Sequence, residues 1–235
     1  MENFVYPLIR TEDDNIDLKY SLRALERNFR EPFSVTIIGH LPSWLDVSKI
    51  RYVPFNDTDN IYSNSINKLV VASIMYKDFI YIHDDMIILK PVKKVDLGPF
   101  YVERFNGMVF GSEPYQQELK YIYKMLKSSG IKIVYNFATH TPFVFHGPKV
   151  LHTIYMYQLQ NNPRLFFENF YYNNFPNNKK FIGNKRLGIY DKVHIDKNML
   201  NSAYFLNFNE YGKMNSNVSE VLGEMFNEKS SFEFL

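Results

Sequence analysis

The sequence predicts an α/β fold: a mixed, mainly parallel sheet flanked by helices, followed by an irregular and partly helical C-terminal part. Over roughly the first 90 residues, short β-branched and aromatic runs alternate with longer segments whose apolar residues recur at helical spacing. Such alternation is typical of parallel strands joined by crossover helices. Residues 78–82 form a nearly continuous apolar run, which is typical of a strand covered on both faces.

The elements of the first part follow from these patterns in order. Strands are predicted over 4–9, 34–38 and 50–54, before the apolar run at 78–82. A turn with helix-capping chemistry is expected at Asp13-Asp14-Asn15. Helices are expected over 17–29 and 63–76, and the buried stripe of the second helix is predicted to contain Ile66, Leu69, Val70 and Ile74.

The second part has weaker patterns. Strands are expected within 100–109 and 131–135, and helices over 116–128, 150–160 and 216–227. Residues 164–180 are rich in asparagine and aromatic residues without a clear period, which predicts an irregular surface segment. We expect one domain over 1–235, with halves at 1–95 and 96–235.

Composition excludes several classes of function. The chain lacks cysteine, so it has no disulfide, thiolate zinc site or cysteine nucleophile. Its net charge is +2, well below the basic excess of obligate nucleic-acid binders. No signal-like segment and no apolar run of about 20 residues is present, which predicts a cytoplasmic protein without a transmembrane segment. Nucleotide-binding glycine motifs are also missing.

Polar residues at the ends of predicted strands indicate a binding site. Arg10, His40 and the sequence His83-Asp84-Asp85 all follow such strands, and ligands of parallel sheets bind beyond the carboxyl ends. Two adjacent carboxylates repel each other unless a cation or solvent separates them. A divalent cation with substrate phosphates would remove that repulsion. A solvated, aspartate-rich turn is the alternative.

Several blocks, taken in order, resemble the Stealth proteins. These are nucleotide-sugar-dependent transferases of microbial capsule synthesis, related to the lysosomal-enzyme phosphotransferase. The similar blocks are residues 17–28, 35–45, 79–86, 140–142, 205–210 and 230–233. The family's first block, a strand ending in Val-Asp-Gly, is replaced by Tyr6-Pro7-Leu8-Ile9-Arg10. The chain is also similar to small phage-type glycosyltransferase-like proteins.

The resemblance implies a GT-A-like catalytic domain with a nucleotide-sugar half at 1–95 and an acceptor half with a C-terminal helix at 96–235. The implied reaction moves a sugar from a nucleotide sugar, with a UDP-sugar as the expected donor, to an acceptor hydroxyl with Mn²⁺ or Mg²⁺. The acceptor would be a polysaccharide, a glycan or modified DNA. The alternatives are sugar 1-phosphate transfer that forms a phosphodiester, glycosylation of DNA bases, and non-catalytic binding of carbohydrate or nucleic acid.

The expected site residues follow from these arguments. Asp85, Asp84 and His83 are the candidate metal ligands, and His140 and Asp84 are the candidate catalytic residues. Residues expected at the donor, or bracing it, are Arg10, Asn64, Asn67, Lys68 and Arg23. For each, a structural or solvated role is the alternative. If DNA were the acceptor, the aromatic residues of 165–181 would stack on its bases.

Overall fold

Strands and helices alternate in the first third of the chain and are more mixed afterwards. The computed structural model describes residues 1–105, 113–175 and 178–234, with Lys197 described by its backbone only. The strands are β1 (Glu2–Leu8), β2 (Phe33–Gly39), β3 (Arg51–Pro54), β4 (Asp78–Tyr81), β5 (Met86–Ile88), β6 (Phe100–Tyr101), β7 (Glu103–Phe105), β8 (Val134–Asn136), β9 (Phe143–His146), β10 (Lys180–Phe181), β11 (Arg186–Ile189) and β12 (Phe205–Phe208). The helices are α1 (Ile16–Asn28), α2 (Ile61–Met75), α3 (Glu113–Ser128), α4 (Gly147–Met156), α5 (Phe167–Asn174), α6 (Lys197–Ser202), α7 (Glu210–Asn215) and α8 (Val218–Met225).

The central sheet has five strands in the order β3-β2-β1-β4-β9. The first four are parallel, and β9 runs antiparallel beside β4. The chain builds outward from β1 to β3 and then returns to β4 on the other side of β1. That reversal makes the gap between the carboxyl ends of β1 and β4 a topological switch point, where open α/β sheets bind ligands.

The predicted α/β class and a mainly parallel sheet with flanking helices are confirmed. Strands β1 to β4 and helices α1 and α2 lie within about two residues of their predicted positions. Burial of Ile74 was predicted wrongly, since its side chain is 73% exposed. At about 100° per residue, Ile74 is turned roughly 80° from Ile66 around the helix. The buried face instead includes Asn64 and Lys68.

A second, three-stranded sheet has the order β11-β12-β5. Strand β5 comes directly after the acidic sequence at 83–85 and pairs antiparallel with β12. Helix α8 covers this sheet with Val218, Val221 and Leu222. Because β5 joins strands from the second half and β9 joins strands from the first, the expected halves at 1–95 and 96–235 are interleaved.

The segment at 164–180 differs from its prediction. It contains helix α5, whose described side chains are buried from Phe167 to Asn173. Asn173 accepts a hydrogen bond from the Tyr135 amide and donates one to the Tyr135 carbonyl, and Asn169 accepts one from the amide of Phe137. The asparagines therefore replace a strand partner along β8. The buried rings of α5 are not available to stack on bases, whereas Phe181 is exposed.

The remaining helices and strands differ from their predicted positions by a few residues. Helix α8 lies within two residues of its prediction, α3 and α4 each begin three residues earlier than expected, α4 ends four residues earlier, and β8 is shorter than predicted. The predicted strand and turn at 100–109 is seen as β6 and β7, and its residues 106–109 lie outside the described part. Within the described ranges, no helix has the length and hydropathy that a membrane crossing requires.

Gly39 ends β2 at the edge of the switch point. Its φ of +123° is one that other residues rarely adopt. A Cβ atom built there would lie 2.0 Å from the Leu8 carbonyl oxygen and 3.0 Å from the Lys68 Nζ. Glycine therefore allows β1, β2 and α2 to converge beneath the site.

Candidate functional site

The sequence His83-Asp84-Asp85 lies at the switch point. Ile82 donates a backbone hydrogen bond to Val5 of β1, and Met86 donates one to the His83 carbonyl. The three residues therefore form the tight connection between β4 and β5, and all three are half-buried. This is the edge of the sheet at which the sequence predicted a site.

Negative charge is concentrated around this connection. Burial is the main cause that raises the pKa of Asp85 to about 8, and the charges of Asp84 and Asp17 add to it. Burial also raises the pKa of Asp17 to about 6, although the Lys213 ammonium opposes the shift. The Lys213 Nζ donates to Asp13 and Asp17 at 2.8 Å. The burial and the neighbouring carboxylates therefore disfavour the ionised form of Asp85 unless a further cation is present.

Asn15 and Asp17 were not predicted at the site. Asn15 has a left-handed φ of 55° and forms no side-chain cap on α1, contrary to the predicted capping role. Its Nδ2 donates to the Ile9 carbonyl at 2.9 Å and to Asp84 Oδ2 at 3.3 Å. The Oδ1 atoms of Asn15 and Asp17 are buried and have no hydrogen-bond partner among the described residues. The Asp-Asp-Asn sequence was therefore a signal for the site that the capping interpretation missed.

Lys68 lies beneath the same connection. Its Nζ donates to the Leu8 carbonyl at 2.6 Å and forms an ion pair with Asp57 at 2.7 Å. Burial lowers the pKa of this ammonium, while Asp57 and Asp84 favour its charge. Lys68 therefore supplies positive charge near Asp84 from inside the fold, and its nitrogen is already engaged there.

The other predicted donor residues are not brought together. The amide of Asn64 is used in holding Thr58, through three hydrogen bonds. Asn67 and Arg10 are exposed. Arg10 lies close to the carboxyl end of β1, as predicted. His40 contacts Asp14 at 3.3 Å.

Arg23 has a structural role. Its Nε and Nη2 bind the two carboxylate oxygens of Glu233 at 2.7 Å, and its Nη1 donates to the Phe226 carbonyl at 2.8 Å. All three nitrogens are thus engaged within the protein, which matches the structural alternative for Arg23 rather than direct contact with the donor. The pair attaches the C-terminal segment to α1.

We expect Arg23→Gln to lower the free energy of unfolding by about 2–3 kcal/mol, because it breaks a bidentate, largely buried charge pair. Arg27→Gln is the matched control, since Arg27 donates an exposed hydrogen bond to a nearby carbonyl, that of Met225. Urea unfolding of both variants measures the difference. Equal stability of the two variants would contradict the anchoring role.

A cleft of about 590 Å³ lies within electrostatic range of residues 83–85, which we call the acidic connection. We call the cleft itself the aromatic cleft; the residues that define it are Tyr115, His140, Phe166, Arg186 and Tyr190, with Val102, Ala138, Asp191 and Asn209 completing its described lining. Asp85 is close enough to raise the pKa of Tyr190, and His83 is close enough to lower that of His140. The cleft and the acidic connection therefore belong to one electrostatic site.

His140 is neutral in this environment. Burial is the main cause that lowers its pKa to about 3, and Arg186 and His83 contribute to the same shift. Its φ of +47° is unusual for a residue other than glycine, and such strain is concentrated at functional sites. A ring with this pKa is a weak base and does not act as an acid at neutral pH. Its chemistry is that of a neutral hydrogen-bonding group.

A second ionisable group near the cleft was missed by the sequence patterns. Glu168 of α5 is buried, and burial raises its pKa to about 8. It is close enough to Tyr115 to raise the pKa of that phenol. Because the segment was predicted to be an irregular surface, no pattern indicated this carboxyl.

The residues present fit a hard divalent cation in part. Among the described residues, no three His, Asp or Glu side chains are arranged to hold a metal ion by themselves. Asp84 and Asp85 offer carboxylate oxygens, and Asn15 has a buried oxygen without a partner. Magnesium commonly takes one or two carboxylates and completes its shell with water and substrate phosphates. The donor set matches that mode and does not match a closed protein cage.

Comparison with known proteins identifies no family for this chain, so a proposal about its function depends on the geometry of the site. No protein-family model matches the chain, and no curated protein is significantly similar to it. The resemblance to the Stealth proteins therefore stays a prediction.

Proposed function

We propose that the protein is a metal-dependent transferase with a GT-A-like fold that moves a sugar from a nucleotide sugar to an acceptor hydroxyl. The observation that carries the proposal is the half-buried Asp84-Asp85 pair at the switch point of the parallel sheet. The pair lies within electrostatic range of the aromatic cleft through Asp85 and Tyr190. A site of this kind suits a ligand that arrives with a cation and fills both regions.

The charge balance supports a divalent cation. Lys213 is shared between Asp13 and Asp17, and Lys68 is paired with Asp57. These two ammonium groups leave Asp85 without a direct positive partner among the described residues. An Mn²⁺ or Mg²⁺ ion would favour ionised Asp85 and would bring diphosphate oxygens to the same place.

Five residues have definite roles in this proposal. Asp84 and Asp85 would hold the cation, which when bound acts as a Lewis acid on the leaving diphosphate. Asn15 orients Asp84 through its 3.3 Å hydrogen bond. The buried ammonium of Lys68 offsets part of the negative charge of Asp84. His140 would position the reacting groups by hydrogen bonding, because its low pKa makes it a weak proton acceptor.

A panel of nucleotide sugars tests the proposal. We expect a UDP-sugar to raise the melting temperature by several degrees in the presence of Mn²⁺ or Mg²⁺, because binding to the native state stabilises it. EDTA should abolish the shift. If none of the nucleotide sugars shifts the melting temperature with either metal, the proposal is wrong.

The mass of the product then identifies the reaction. A glycoside carries only the added sugar, whereas a phosphodiester also carries a phosphate group. The sugar 1-phosphate transfer implied by the Stealth resemblance would appear as that additional phosphate. Products should be analysed with simple sugars, oligosaccharides and DNA as acceptors.

A further inference from the structure

We propose that the aromatic cleft is the acceptor site and that it selects an acceptor carrying an anionic group, a phosphate or a carboxylate, which Arg186 binds. The inference rests on the proposed function, because it assigns the second substrate of the same site. Its direct support comes from the walls of the cleft, the free edge of the Arg186 guanidinium and the separation from the acidic connection.

Aromatic rings form the walls. The ring centroids of Phe166 and Tyr115 are 5.1 Å apart, and those of Phe166 and His140 are 6.1 Å apart. The ring centroid of Tyr190 lies 6.2 Å from that of His140. These four rings present flat, largely apolar surfaces of the kind that line small-molecule sites. Such walls suit a ring-shaped ligand.

Arg186 is the anchoring group. Its Nη1 donates to the Thr139 carbonyl at 3.0 Å and to the Tyr190 hydroxyl at 2.9 Å, while Tyr190 itself donates to Asn207 at 2.9 Å. Within the described ranges, Nε and Nη2 of Arg186 form no hydrogen bond and no carboxylate pairs with the guanidinium. One nitrogen thus fixes the plane of the fork, and the other edge remains available for two parallel hydrogen bonds to an oxyanion.

Arg186 is also the only positively charged side chain in the described lining of the aromatic cleft. His140 is neutral, and the pKa values of Tyr115 and Tyr190 are raised mainly by burial, so both phenols stay protonated. Asp191 is exposed and solvated. A half-buried guanidinium without a carboxylate partner is costly unless a ligand supplies the opposite charge. This requirement favours an anionic ligand over a neutral one.

The backbone is shaped to hold these walls. Two residues of the cleft, His140 and Phe166, have left-handed φ angles of 47° and 55°. A Cβ atom added at Gly188 would lie 2.6 Å from the Tyr190 ring, so this ring packs directly across the glycine. Strained residues and a close glycine approach in one cleft indicate a site built for a ligand.

The position of the cleft favours the acceptor over the donor. The described lining comes entirely from residues 102–209, whereas the acidic connection and the switch point are formed by residues before 90. The diphosphate of the donor would lie with its cation at Asp84 and Asp85. Asp85 and Tyr190 nevertheless interact electrostatically, so the cleft and the acidic connection are neighbouring parts of the molecule.

Direct binding tests the oxyanion site without nucleotide or metal. The probes are glucose 6-phosphate, glucuronate and glucose, titrated into the full chain by ligand-observed NMR. We expect at least one anionic probe to bind about tenfold more tightly than glucose, and Arg186→Gln to abolish that preference. The matched control is Arg51→Gln, because Arg51 lies on the edge strand β3 of the central sheet and outside the aromatic cleft. Equal binding of the charged and neutral sugars, or an unchanged preference in Arg186→Gln, would overturn the proposal.

A competition arm separates the two sources of an oxyanion. If the cleft takes the acceptor, saturating UDP with Mn²⁺ will leave the anionic probe bound. Displacement of the probe by UDP and Mn²⁺ would assign Arg186 to the donor diphosphate and refute the acceptor role. Failure of the native protein to bind UDP with Mn²⁺ would contradict the proposed transferase instead, and the oxyanion titration would still report on Arg186.

Discussion

Asp85→Asn is expected to stabilise the metal-free protein by on the order of 2 kcal/mol near pH 9, with solvent exposure taken into account. The folded-state pKa of Asp85, about 8, lies above its ordinary value of 3.8, so the native state binds this proton more tightly than the unfolded state. The contribution of Asp85 to native stability should therefore fall as pH rises from about 4 to about 8 and then level off. The neutral amide removes that loss.

Urea unfolding across this pH range measures the effect. The native protein and Asp85→Asn should be nearly equally stable below about pH 4 and should diverge as the pH rises. Asp78→Asn is the matched control, because Asp78 is exposed at the opposite end of β4. If the stabilities of the native protein and Asp85→Asn depend on pH in the same way, folding does not raise the pKa of Asp85.

Gly39→Ala is expected to lower the free energy of unfolding by about 4 kcal/mol or more. The substitution forces a methyl group against the Leu8 carbonyl oxygen, 2.0 Å away, in a backbone conformation that alanine rarely adopts. It also crowds Lys68, which binds the same carbonyl. The convergence of β1, β2 and α2 beneath the site would be lost.

Gly130→Ala separates strain from overlap. Gly130 has a φ of +88°, yet a Cβ atom there meets no atom within 4 Å. It should therefore show only the backbone cost, about 1–2 kcal/mol. Chemical denaturation of both variants gives the comparison. A similar loss for the two alanines would mean that the contact with Leu8 yields without cost.

The sequence predicted the central sheet well because local patterns determine it. Each of its first four strands is a compact apolar run, and polar residues mark where those runs end. His83, Asp84 and Asp85 follow the last of these runs, and the structure places them at the carboxyl edge of the sheet, where ligands of parallel sheets are expected.

The rest of the site depends on contacts between distant residues. Asn15 reaches Asp84 across 69 positions, and Arg186 reaches Thr139 across 47. Single residues at such separations leave no periodic pattern. Lys68 was expected at the donor, but its burial and its ion pair with Asp57 are not revealed by sequence spacing.

Helix α5 shows a second limit of sequence patterns. Nearly all of its faces are buried, so its apolar residues do not recur at an amphipathic period. Asn169 and Asn173, which are typical of loops, are used here to bind the backbone of β8. Composition therefore favoured a surface loop where the fold places a core helix.

We propose above all that Asp84 and Asp85 bind a nucleotide diphosphate through a divalent cation. Calorimetric titration of UDP, with and without Mn²⁺, tests it most directly in the native protein, Asp85→Asn and the Asp78→Asn control. We expect binding that requires Mn²⁺ in the native protein and the control, and at least about tenfold weaker binding in Asp85→Asn. UDP binding that needs no metal, or that persists unchanged in Asp85→Asn, would contradict the claim.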